Sequence, residues 1–375
     1  MNNTIQILIF ILFWVLSASI KAQVVAPELQ KIVGQILENH YPSEPLHGLS
    51  IGIIQNKQIN TFHCGNLATD APIVSPNNTT LYQLGSISKV FTAALLAAMV
   101  ADNSVQLNDP ITKYLPDSLA LQNPLLNQIT LLQLVTHTAG FPTKPSNIIN
   151  TNSNPDDPYN NYTLTDLYTY LSTYHPQFAK KNKRNKNNTF AYSHLSIGLL
   201  GHLLENASGK TYQQLLEKYI TNKINCKDIF LEPSTEQQSR IVAGHNFVGK
   251  SNEPLHYRTL YASEGLYGSL DNLLKFVYAN IDNSPNNPLR NIALKMQIPY
   301  TATQMHNVYA CLGWYQIKQT KHVPIVYTHS GRVGGYSHYV AFSPEKKIGI
   351  VVMSNTSQRI DDIGIEILSY LLEIK

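Results

Sequence analysis

Residues 84–101, LGSISKVFTAALLAAMVA, join a glycine-bearing turn to a helix that is apolar on nearly every side. A helix without a polar face has to be enclosed by protein, so 88–101 is expected at the centre of the molecule. Lys89 is the only charged residue between Gly85 and Ala101. Burying one ammonium there costs free energy unless a partner or a task offsets it. Ser86 precedes it by three residues, a helical spacing that brings the lysine amine under the same face as Ser86 Oγ. Ser86 also lies where a helix begins, so free N–H groups and the positive end of the helix dipole favour negative charge on its oxygen. A lysine stripped of water can lose its proton near neutral pH and serve as a base. Ser86 and Lys89 are therefore the candidate nucleophile and its proton acceptor.

Outward from this helix, the two ends of the chain read alike. Residues 27–39 carry helical apolar spacing at Leu29, Ile32, Val33, Ile36 and Leu37. LSIGIIQ (49–55), Asn56-Lys57 and QINTFHCG (58–65) read as strand, tight turn and strand. YSHYVAFSP (336–344) and KIGIVVMSN (347–355) are again strand-like, and 360–374 make a closing amphipathic helix. Between these ends helices are expected at 129–136, 164–174, 195–207, 211–223 and 269–281, with Asn-, Pro- and Ser-rich loops at 143–162 and 281–289. The expected fold is α/β of the α+β kind. An antiparallel sheet comes from both chain ends (23–75 and 305–375), flanked by terminal helices, with an all-helical domain (80–300) inserted. A cleft between the two parts is where a ligand site tends to form.

The chain has 375 residues, 43% hydrophobic and 14% charged, with a formal charge of +4. That is long enough for a full core. The one dense basic run, 180–186, lies among asparagines and reads as a solvated loop, so no nucleic-acid partner is expected. Residues 5–20 are apolar and are followed by Lys21-Ala22-Gln23, which fits a secretory signal over 1–22. An uncleaved membrane anchor is the alternative, since no Lys or Arg precedes the run. Cys64, Cys226 and Cys311 are the only cysteines and stand in no CxxC arrangement. No zinc site is expected from them, and a single disulfide or three free thiols are both open.

Two further stretches hold groups suited to chemistry. Phe190-Ala191-Tyr192-Ser193-His194-Leu195 runs from a loop into a helix. A tyrosine beside a lysine can have a lowered pKa and relay protons to a leaving group. Thr328-His329-Ser330-Gly331-Arg332-Val333-Gly334-Gly335-Tyr336 reads as an edge strand leaving a turn, with glycines that let backbone approach a ligand. Its N–H groups are suited to holding substrate and completing an oxyanion hole. His137 and His338 are expected to brace a loop and pack in a strand.

These three stretches, in this order, resemble the class C β-lactamases, the penicillin-binding D-alanyl-D-alanine carboxypeptidases and their esterase relatives. The likeness continues through 131–142, 195–220, LGW at 312–314 and 334–355, and so covers nearly the whole chain after the leader. It implies a β-lactamase/transpeptidase-like fold and a serine hydrolase without cofactor or metal. It makes Ser86 the nucleophile, Lys89 its proton acceptor and Tyr192 the proton shuttle. His329-Ser330-Gly331 takes the place of the family's strand triplet, the N–H groups of Ser86 and Arg332 match its oxyanion hole, and Ser330 Oγ should lie near a substrate carboxylate. The substrate class implied is a β-lactam or a D-alanyl peptide from peptidoglycan, met in the periplasm or outside a bacterial cell. No stable membrane insertion is expected after signal cleavage. An esterase, a D-aminopeptidase or a slow-turnover penicillin-binding protein on the same scaffold are the alternatives.

The chain departs from the family pattern in three places. His194 stands where the tyrosine motif usually ends in the Asn that binds the acyl amide. His329 stands where most class C enzymes carry Lys, and Gln83 replaces a common Glu. An imidazole is mostly neutral at pH 7 unless perturbed, which leaves Arg332 either to restore positive potential toward a substrate carboxylate or to point into solvent.

Overall fold

The computed structural model describes residues 27–40, 47–68, 73–150, 157–177, 190–318 and 323–373. The expected leader at 1–22 and the basic run at 180–186 lie outside the described residues. Among the described residues eight strands form one antiparallel sheet: β1 (Leu49–Gln55), β2 (Gln58–Cys64), β3 (Thr301–Ala302), β4 (Val308–Ala310), β5 (Tyr315–Ile317), β6 (Val326–Val333), β7 (Tyr336–Ser343) and β8 (Ile348–Ser354). Their order across the sheet is β2-β1-β8-β7-β6-β5-β4-β3. The two ends of the chain therefore meet in the middle, where Ile51 pairs with Val352 and Ile53 with Ile350. The β1–β2 turn places Asn56 at φ 57°, a left-handed conformation that asparagine tolerates.

Alternation along β8 explains why the sheet is covered on both faces. Ile348, Ile350 and Val352 pack with α1 (Pro27–His40) and α6 (Asp361–Glu373) through Leu29, Val33, Ile363 and Ile367. Val351 and Met353 point the other way into the main core. There the inserted helical part begins, with α2 (Ser88–Ala101), α3 (His194–Ser208), α4 (Tyr261–Glu264) and α5 (Leu270–Ile281). Every α2 residue from Ser88 to Met99 is buried, as its all-round apolar character requires. Phe91 packs on Phe276 of α5 with ring centroids 4.4 Å apart, and full burial of such a side chain contributes about 1.5–3 kcal/mol.

One expected feature is corrected. β6 is not the edge of the sheet, because β5 pairs with it at Val326–Thr328 and two further strands lie beyond. β5 is only three residues long, so from His329 onward β6 has no strand on that side. The turn at Gly85–Ile87 packs there instead. A short neighbour, not a sheet edge, opens this stretch of backbone. Among the described residues no helix is long and apolar enough to cross a membrane.

Candidate active site

Ser86 sits in a 3-10 turn, Gly85–Ile87, that feeds directly into α2. In 3-10 geometry residues three apart eclipse one another, which stacks Lys89 on Ser86. Lys89 Nζ lies 2.9 Å from Ser86 Oγ. Gly85 takes φ +52°, and a Cβ there would meet the backbone of Arg332 at 3.0 Å. A Cβ on Gly331 would overlap the Leu84 carbonyl oxygen. The two glycines thus let the nucleophile turn and β6 press backbone to backbone, which is what an oxyanion hole shared between Ser86 and Arg332 would need.

Tyr192 reaches the same oxygen from the opposite side, its hydroxyl donating to Ser86 Oγ at 2.9 Å. Its loop is held by neighbours on either side. Ala191 N–H donates to the His137 carbonyl at 2.8 Å, and Ser193 N–H donates to His137 Nδ1 at 3.2 Å. Ser193 then caps α3 by accepting from Ser196 N–H. His137 is bent into a left-handed φ of 57° and its ring lies 4.7 Å from that of Tyr192, so it shapes the loop that aims the phenol. The expectation of a lowered Tyr192 pKa is not met. Burial drives it up, the nearby Glu264 charge adds to the rise, and the hydrogen bond to Ser86 only partly offsets them. Tyr192 is a protonated donor in the resting site.

Glu264, which the sequence reading passed over, is the central addition. Its Oε1 accepts from Ser86 Oγ at 3.1 Å and stands 3.5 Å from Lys89 Nζ and 2.7 Å from His194 Nδ1. It lies at the end of α4, where the preceding Ser263 carbonyl takes a further Lys89 hydrogen at 2.9 Å. Lys89 therefore has three oxygen acceptors, Ser86, Ser263 and Glu264, one for each hydrogen of an ammonium. Burial pulls the lysine pKa down and Glu264 opposes it, for a value of about 8. For Glu264 burial acts upward, but the Lys89 charge and the His194 and Tyr257 hydrogen bonds outweigh it and bring the carboxyl to about 2. The signal available in the sequence was a lone acid in YASEGLYGS (261–269), a segment otherwise of small, apolar and aromatic residues.

The strand triplet divides between two environments. His329 is buried, its ring stacked on Tyr315 and its Nδ1 2.8 Å from the Ser330 carbonyl. Burial and then the Lys89 charge lower its pKa to about 3, so it is neutral. Ser330 faces the other way, and its hydroxyl donates to Asp361 at the start of α6. Asp361 is also approached by Arg332 at 3.6 Å and by Arg359 at 3.5 Å. A groove of about 750 Å³ runs past Tyr192, Tyr315, Thr328, His329, Ser330 and Asp361. Gln83 is buried away from the chemistry, its amide exchanging two hydrogen bonds with the Leu255 backbone. Cys64, Cys226 and Cys311 are free thiols.

A hydroxyl flanked by an amine, a phenol and a carboxylate, at the start of a buried helix, is the arrangement of a serine hydrolase. The sequence model of the Beta-lactamase family matches residues 29–368, and the chain belongs to that family. It is similar to a beta-lactamase of Pseudomonas fluorescens, 26% identical over 363 residues that cover 88% of this chain and 94% of that protein. It is also similar to the D-alanyl-D-alanine-carboxypeptidase/endopeptidase AmpH of Escherichia coli (strain K12), 28% identical over 76% of this chain and 73% of that one. Among solved structures, the beta-lactamase/D-alanine carboxypeptidase from Pseudomonas syringae superposes with a TM-score of 0.77 at 22% identity, covering 92% of this chain and 99% of that one. The class C beta lactamase from Rhodobacter sphaeroides does so with a TM-score of 0.75 at 19% identity, covering 91% and 99%.

Proposed function

We propose that this protein is an exported hydrolase, with a leader over 1–22 and one catalytic domain over 23–375. It transfers an acyl group from a β-lactam or a D-alanyl peptide to Ser86 and then to water. The observation that carries this reading is the pair of 2.9 Å contacts that Lys89 Nζ and Tyr192 OH make to Ser86 Oγ. In acylation Ser86 Oγ attacks the carbonyl carbon as its proton moves to neutral Lys89, and Tyr192 hands a proton to the departing nitrogen. The Ser86 and Arg332 N–H groups hold the oxyanion. His194 and His329 line the cleft beside the acyl group, Gly331 lets the strand close on the nucleophile, and Arg332 and Ser330 face the substrate carboxylate.

A second reading, an esterase or D-aminopeptidase on the same scaffold, draws support from His194 and Asp361. The His194 imidazole is tied to Glu264 at 2.7 Å, so it is not free to bind an acyl amide as an asparagine would. Asp361 brings negative charge next to Ser330, where a β-lactam carboxylate would have to lie. A slow-turnover penicillin-binding protein is the third outcome. Intact-mass spectrometry after mixing with a penicillin and with a simple ester separates them. A transient penicillin adduct supports the first reading, ester turnover with no penicillin adduct the second, and a persistent penicillin adduct the third.

A further inference from the structure

His194 enters none of the steps above, yet its surroundings are specific. One nitrogen, Nδ1, lies 2.7 Å from Glu264 Oε1 and 3.4 Å from Lys89 Nζ. It cannot donate to the carboxylate and accept from the ammonium with the same site. The short contact to the charged acceptor assigns the hydrogen to Nδ1, directed at Glu264, as carboxylates fix histidine tautomers elsewhere. The unshared pair is then on Nε2, for which no hydrogen bond to the described residues is found. Side-chain exposure falls from 20% for His194 to 6% for Glu264 and 1% for Lys89. Of these three side chains the imidazole is the one with appreciable exposure. Burial and then the Lys89 charge hold its pKa below the ordinary value, Glu264 notwithstanding, so it is neutral and able to accept a proton.

We propose that His194 and Glu264 form a carboxylate–imidazole pair that activates the water which hydrolyses acyl-Ser86. The proposal rests on Ser86 being the acyl carrier. The water oxygen bonds to the ester carbonyl carbon as one of its protons passes to His194 Nε2, and Glu264 balances the imidazolium charge. The tetrahedral adduct collapses by breaking the bond from carbonyl carbon to Ser86 Oγ. Ser86 Oγ takes a proton from Tyr192 OH, and the proton held on His194 restores the phenol. One water is consumed, and a carboxylic acid and the free serine are formed. Glu264 is a positioning residue in this step, acting through the imidazole. In acylation the Ser86 proton goes to Lys89, and Glu264 acts through the pKa of that lysine.

The test separates formation of the acyl-enzyme from its breakdown. A p-nitrophenyl ester gives acylation as the burst of nitrophenol. Intact mass after rapid removal of excess ester follows decay of the adduct. In His194→Asn and His194→Gln decay should slow by about 10²–10⁴-fold, the usual share of a general base, and by far more than the burst does. Glu264→Gln should slow decay in the same direction, and by more than it changes the burst, whose pH dependence it alters through Lys89. Hydroxylamine, a nucleophile that needs no base, should clear the adduct from all four proteins at similar rates, which a merely structural defect would not allow. Unchanged decay in the His194 variants, a burst slowed as much as decay, or adducts resistant to hydroxylamine would each overturn the pair's role. A natural protein that acquires no adduct removes the Ser86 reading itself and the pair's role with it. An adduct that decays equally in all four proteins removes only the latter.

Discussion

The carboxylate of Glu264 stands 3.5 Å from the ammonium of Lys89, with almost no solvent reaching either side chain. The interaction holds a proton on the group that has to lose it for Ser86 to be activated. Acylation should therefore rise with pH as Lys89 deprotonates, with an acid limb near 8. The sign for Glu264→Gln follows from the charges. Glu264 raises the Lys89 pKa, while the other titratable groups around it, Tyr192, His194, His137 and His329, are neutral in the resting site. Removing the carboxylate leaves burial unopposed, and the acid limb of the burst rate should move to lower pH. An acid limb that stays in place would mean that Lys89 is not the group being titrated.

Tyr192→Phe removes the phenol donor at Ser86 Oγ and leaves Lys89 as the donor that remains there. Turnover should fall by about 10²–10⁴-fold, as for other acid–base groups, with little change in substrate affinity. Steady-state kinetics on a poor-leaving-group amide and on a p-nitrophenyl ester would show it. The amide should suffer more, because its nitrogen needs the proton. Natural turnover on both substrates would take Tyr192 out of the mechanism.

Gly331→Ala places a methyl group against the Leu84 carbonyl, a backbone atom that cannot swing aside. Overpacking of this kind costs about 1–3 kcal/mol. A lower denaturation midpoint is expected, with a loss of kcat larger than the stability change explains, because the strand and the nucleophile turn are forced apart. Full activity in a destabilised protein would separate β6 from oxyanion binding.

Asp361 takes the Ser330 hydroxyl and faces Arg332 and Arg359. Asp361→Asn leaves both guanidinium groups without their counter-charge. KM for a substrate carrying a free carboxylate should fall by roughly two- to fivefold, the scale of a half-exposed ion pair, and less at high salt. KM for an uncharged ester should not move. A rise in KM for the anionic substrate would mean that Asp361 orders the site more than it repels the ligand.

Much of the fold was legible because its signals are local. The two-residue turn at Asn56-Lys57, the alternation in 347–355 and the unbroken apolar surface of 88–101 each follow from backbone geometry and burial alone. Ser86 and Lys89 were legible for the same reason, since a separation of three residues along one turn brings both groups together. Glu264 was not, because it meets Ser86 across 178 residues of chain and nothing in its own neighbourhood marks it beyond the absence of other charge. The Tyr192 pKa runs opposite to what its motif suggests for a related cause. A neighbouring lysine is visible in a motif, whereas the burial that outweighs it belongs to the folded cleft. The open backbone of β6 from His329 onward depends on how short β5 is, which turns on pairing between Tyr315–Ile317 and Val326–Thr328.

Peptide mapping of the site labelled by a fluorophosphonate or a β-lactam tests the central claim most directly. The whole account depends on Ser86 Oγ being the atom that is acylated. The label should lie on the peptide that contains Ser86 and vanish in Ser86→Ala, while that variant keeps its fold. Ser88, two residues on, is fully buried and its hydroxyl accepts from Leu266 N–H, so it should carry none. Label on Ser88 or on any other serine, or undiminished labelling of Ser86→Ala, would contradict it.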